Sequence, residues 1–191
     1  MVLTTLLSFT VANDNDDRKN AINYFRETQL QLEKEVAGLS EAQLNWKPAD
    51  SVWSISNCVE HITISEKNIF DWAMSTLKEP ANAARRTELK MDDEAVKNMM
   101  NDRSFKAKAA EEFQPTGQFG NTAGSLKAFQ ERRAALINYM KTTQDDLRNH
   151  FATTPMGLLD TYQVLLLLSG HTHRHTLQIV ALKAMPGFPA M

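Results

Sequence analysis

The chain has 191 residues, with 21 Lys and Arg against 23 Asp and Glu; the length fits one domain, and the near balance argues against a nucleic-acid binder, which carries a basic excess or patch. Apolar residues make up 42% and charged ones 23%, ordinary usage that excludes disorder for the bulk of the chain, and the single cysteine, Cys58, excludes an intrachain disulfide. Gly and Pro are scarce and Leu outnumbers Ile and Val together, which favours an all-helical domain over a turn-rich β architecture.

Residues 1–15 open on the apolar run MVLTTLLSFTVA. The run has the length of a signal-peptide core, with Ala12 as a small residue at a cleavage position, but no Lys or Arg precedes it. It reads either as an apolar segment packed on the domain or as the remnant of an export signal, with the domain proper at 16–191. The compartment is cytoplasmic by default and exported if the run is a signal. Neither this run nor Val164–Leu168 is long enough to span a bilayer, so no stable membrane insertion is expected.

The first long helix is predicted over 16–38. Acidic residues lie at its start, and Ile22, Phe25, Leu30 or Gln29, Leu32 and Val36 recur at helical spacing, with Gly38 as the stop. SEAQL forms a short turn of helix, and NWKPADSVWS is a connector. Ser54 caps a second helix over 54–78, with Ile55, Val59, Ile62, Ile69, Ala73 and Leu77 on its apolar stripe and Pro80 beyond its end. Residues 80–122 are irregular: a short helix capped by Asp92 or Asp93 runs through Met100, and QPTGQFGNTAG is a Gly-rich loop, a lid or a long crossover. No phosphate-loop pattern is present. Ser125 opens a third helix that runs to His150, and a fourth runs from Leu158 to Ala184. Four long amphipathic segments imply a four-helix bundle with a long crossover loop between the second and third helices.

The string SGHTHRHTLQ carries His171, His173 and His175. Read as a strand and loop, it looks like the GHTH segment of metallophosphoesterases or the HxHxDH segment of metallo-β-lactamases. Those folds need DxH, GDxxD and GNH[DE] segments, or an Asp where Arg174 stands, and neither fold is all-helical. Read as a helix, His171 and His175 are i, i+4 and share a face, while His173 points away, solvated or on a partner surface. Such a pair is a ready bidentate metal site, although helical His pairs also occur simply hydrogen-bonded. His61, midway along the second helix, is the third candidate. A lone His on an apolar face is usually a satisfied core residue, but in a bundle His61 can meet His171 and His175. A three-His site leaves coordination positions open for water or substrate.

The sequence resembles the DinB-like family, the DinB/YfiT-like putative metalloenzyme superfamily. GLSEAQLNWKPADSVWSISNCVEHI matches the family's approach to its second helix. HTHRHTLQI matches its HxxxHxxQ pattern, as His171, His175 and Gln178. The spacing between the two also fits, and the resemblance covers the chain after the N-terminal run. It implies a bundle in which His61, His171 and His175 hold a divalent metal (zinc, nickel or iron), and it implies a homodimer. Some relatives resemble thiol S-transferases or isomerases that use a low-molecular-weight thiol such as bacillithiol, mycothiol or glutathione. The expected function is thus a metal-dependent enzyme on a small-molecule substrate: a thiol S-transferase acting on electrophiles, a hydrolase, or a non-catalytic metal-binding, stress-related protein.

The remaining residues read more plainly. Gln178, i+3 from His175, is a candidate to orient a ligand or substrate. Trp46 and Trp53 pack the connection between the first two long helices. Cys58 is a small core residue. Glu60 and Glu66 lie on a solvated face, and His150 meets the dipole at the end of the third helix.

Overall fold

The computed structural model describes residues 14–104 and 108–190; the reading of residues 1–15 as an apolar segment lies almost wholly outside them. Six α-helices and one hairpin follow in order: α1 (Asp14–Val36), α2 (Glu41–Asn45), α3 (Ile55–Thr76), α4 (Asp93–Asn101), α5 (Thr122–Thr142), β1 (Phe151–Thr154), β2 (Gly157–Asp160) and α6 (Thr161–Lys183). Short 3-10 turns lie at Ala83–Glu88 and Glu111–Phe113. Among the described residues no helix is long and apolar enough to cross a membrane.

The helix starts follow local chemistry. Ser40 caps α2 and Ser54 caps α3, each in a reciprocal box with the residue three positions on, Gln43 and Asn57. Asp92 caps α4. The α5 cap is Asn121 rather than Ser125: its side chain accepts from the Gly124 amide, which starts the helix one turn earlier. In α1 the buried face runs through Ala21, Phe25, Thr28, Leu32 and Val36. Leu30 lies off it and is 64% exposed.

Hydrogen bonds between helices give the topology. Thr28 meets Ser169, and Lys183 meets Glu35, so α1 and α6 run parallel. Ser56 meets Thr122, and Arg133 meets Glu66, so α3 and α5 also run parallel. Thr76 meets Thr161, and His61 meets His171, which sets α3 antiparallel to α6. Residues 77–121, linking two parallel neighbours, must therefore travel back along the bundle. Part of this stretch, α4, packs on the outside of α6. Gly170 permits that approach, because a Cβ there would lie 2.8 Å from the Met100 Cβ.

Two expectations fail between residues 143 and 160. α5 stops at Thr142, not His150. The Tyr139 and Thr143 hydroxyls both donate to Asp145 Oδ2 at 2.7 Å, turning the chain out of the helix. His150 is therefore no helix end; its carbonyl accepts from the Thr161 amide. The fourth long helix begins at Thr161 rather than Leu158, because Leu158 belongs to an antiparallel hairpin that pairs Phe151 with Asp160 and Thr154 with Gly157. Arg148 fixes this corner, binding Asp17, Asp93 and Asp160 at 2.7–3.1 Å with its guanidinium 3.9 Å from the Tyr162 ring centre.

Candidate metal centre

All three candidate histidines lie on helices, two on α6 and one on the antiparallel α3. The strand reading of SGHTHRHTLQ is thus excluded. The i, i+4 spacing puts His171 and His175 on one face, and the antiparallel crossing brings His61 opposite them. His61 Nε2 lies 3.2 Å from His171 Nε2 and 3.2 Å from His175 Nε2. His61 is buried and the other two are half-buried. Among the described residues this is the one group of three or more His, Cys, Asp or Glu side chains so gathered.

The outer nitrogens determine what the inner ones offer. His61 Nδ1 lies 2.7 Å from the Phe113 carbonyl, which can only accept, so Nδ1 carries the proton. His175 Nδ1 lies 3.0 Å from the Gln178 carboxamide oxygen, and the same reasoning applies. The two Nε2 atoms are then bare lone pairs facing each other at 3.2 Å, with no proton to share. A cation between them removes that repulsion. Nitrogens at about 2.0–2.1 Å from one tetrahedral ion sit roughly 3.3 Å apart, so the spacing fits a chelated divalent metal.

The local field agrees. Burial lowers the pKa of His61, and the Phe113 bond only partly offsets it. His171 is pushed well below the ordinary value by burial and then by His175, His61 and Arg174. His175 falls to about 3, by burial first and then by His61. All three rings are thus neutral, as ligands must be. Trp53 does more than pack the connection: its ring centre lies 4.7 Å from that of His61 and 6.2 Å from that of His175, walling one side of the cluster. Trp46 instead packs edge-on against Phe188.

Other assignments change. Glu60 and Glu66 are buried, at 6% and 3% exposure, not solvated. Glu66 forms a two-pronged ion pair with Arg133 at 2.6 and 2.8 Å. Glu60 accepts from the amides of Thr116, Gly117 and Gln118. Neither role shows in the sequence, because each partner is more than 50 positions away. The signal available was position: both fall on the turns of α3 that carry its apolar stripe. His173 faces away from the cluster as expected, but it is half-buried, with Nδ1 2.6 Å from Asn101 Oδ1. Cys58 is a core thiol, fully buried and pushed up to about 12 by desolvation.

The chain is similar to known proteins in sequence and in fold. The chain is 27% identical over 165 residues to the uncharacterized protein YuaE of Bacillus subtilis strain 168, a match that spans 85% of this chain and 96% of that one. It is similar in fold to YfiT of Bacillus subtilis, with a TM-score of 0.60 at 17% identity, over 99% of this chain and 94% of that one. YfiT is described as "a probable metal-dependent hydrolase with an unusual four-helix bundle topology". The family model of the DinB superfamily matches residues 24–179, from within α1 to just past His175, and this chain belongs to that superfamily.

Proposed function

We propose that the protein is a metal-dependent enzyme of small-molecule chemistry, with a divalent cation held by the Nε2 atoms of His61, His171 and His175. The observation that carries this reading is the convergence of those atoms at 3.2 Å while two of the rings have committed their protons outward. A divalent ion held by three imidazoles, with a coordination position left over, would supply Lewis acidity that activates water or a thiol near neutral pH. The chain's own contribution is orientation. The Phe113 carbonyl and Gln178 fix the His61 and His175 rings, and Trp53 keeps solvent from one side.

Hydrolysis is the favoured reaction. It needs only water as co-reactant, and a protein of the same fold is described as a probable metal-dependent hydrolase. The alternative, transfer of a thiol to an electrophile, needs a thiol from outside the chain. Cys58 cannot serve, since it is fully buried with a pKa near 12.

Metal analysis of purified protein tests the reading. Wild type is expected to carry about one divalent ion per chain, and His61→Ala and His175→Ala to lose most of it. Wild type with no more metal than the double variant would sink the proposal. Ester and amide panels, run beside epoxides with added glutathione, then separate hydrolysis from thiol transfer.

A further inference from the structure

Two consecutive residues of α3 grip one stretch of the α3–α5 connection. His61 donates from Nδ1 to the Phe113 carbonyl. Glu60 accepts three bonds from the same stretch: Oε1 from the Thr116 amide at 3.2 Å and the Gln118 amide at 3.0 Å, and Oε2 from the Gly117 amide at 3.0 Å. Successive amides that converge on one anion form a nest, which needs a left-handed residue. Gly117 supplies it, at φ +79°. The loop thus offers an anion site, and the buried Glu60 carboxylate fills it.

The two grips are mechanically close. Only Gln114 and Pro115 separate Phe113 from Thr116, and the fixed φ of proline stiffens the link. Phe113 itself ends a three-residue 3-10 turn, Glu111–Phe113, whose hydrogen-bond geometry is intrinsically poor. The Phe113 ring also packs against the apolar core and Gln114 Nε2 donates to the Ala109 carbonyl, while the tie from Asn68 Nδ2 to the Glu112 carbonyl at 3.1 Å is solvent-exposed and open to competition from water.

We propose that Glu60 is a positioning residue of the metal centre. By latching residues 116–118 it holds the Phe113 carbonyl on His61 Nδ1, and so keeps His61 Nε2 bare and turned toward His171 and His175. The idea rests on the reading of His61 as a ligand, yet the latch itself exists without metal.

Two substitutions break the latch from opposite sides. Glu60→Gln replaces one carboxylate oxygen with an NH2 group, which sets a donor against a backbone donor. Gly117→Ala adds a Cβ that meets no atom within 4 Å, so it acts only through the penalty for a side chain at positive φ. The readouts are the zinc dissociation constant, by chelator competition, and the ring 15N shifts of His61 in metal-free protein. Each variant is expected to weaken zinc binding about ten-fold, the lower end for outer partners of metal ligands. The double variant should bind no worse than the weaker single, since both break one contact. The metal-free His61 ring should lose its single Nδ1–H form in each variant.

Zinc binding within about three-fold of wild type in Gly117→Ala and in any folded Glu60→Gln protein would overturn the proposal. So would effects that multiply in the double variant. If wild type and His61→Ala bind zinc equally, the ligand reading fails instead. The metal-free ring shifts then decide the latch alone, and unchanged shifts overturn it.

Discussion

A histidine can serve as a metal ligand when its surroundings keep one nitrogen bare, and in this three-His cluster burial and outward hydrogen bonds do so. The consequence is a pH dependence of definite sign. The folded pKa of His175, about 3, lies below the unfolded value of roughly 6.5. The folded chain therefore binds fewer protons than the unfolded one between those values. Stability from the neutral ring is fully present above pH 6.5 and is lost as the pH falls toward 3. In urea unfolding without metal, the advantage of wild type over His175→Gln should shrink by about 2 kcal/mol between pH 7 and 5, at about 1.4 kcal/mol per unit. The His171–His175 pair was legible because i, i+4 spacing fixes a shared face in any helix, and His61 because its helix was capped and striped. The roles of Glu60 and Glu66 were not, because a buried carboxylate depends on partners that only the fold supplies.

At the scale of elements, α6 is held at the height the site needs by one buried guanidinium. Arg133, on α5, is fully buried and binds Glu66 of α3, the Phe25 carbonyl and Thr28 of α1, and Thr172 of α6, next to His171. Glu66→Leu would strand that charge in the core. We expect a loss of about 3–5 kcal/mol in urea unfolding. Adding Arg133→Met should recover most of it, since an apolar pair of similar volume removes the stranded charge. The long helices were readable from their caps and apolar spacing. The hairpin was missed because FATT and GLLD are four residues each, too short to show alternation, and because the two-residue link Pro155–Met156 carries none of the Asn-Gly or Gly-containing pairs that signal a tight hairpin. α5 was read too long because Leu147 continues its apolar spacing, while the Thr143–Asp145 turn that ends it is a side-chain hydrogen-bond event.

Over the whole molecule, the proposed ion would tie α3 to α6, two helices that approach only in the folded chain. Binding to the native state alone stabilises it by about 2.7 kcal/mol at a hundred-fold excess over the dissociation constant. For a chain of this size that raises the melting temperature by roughly 5–10 °C. Zinc should produce this rise in a thermal scan, EDTA should reverse it, and His61→Ala should abolish it; equal shifts in variant and wild type would mean that zinc binds elsewhere. By itself the sequence determined the helical class, the start of most helices and the three histidines, because capping, periodicity and i, i+4 spacing act over a few residues. Tertiary structure alone decided the parallel pairing of α1 with α6 and of α3 with α5, the ion pairs of Arg133 and Arg148, and the loop clamped on Glu60. Nearly all of those contacts join residues dozens of positions apart, and burial, not local preference, selects them.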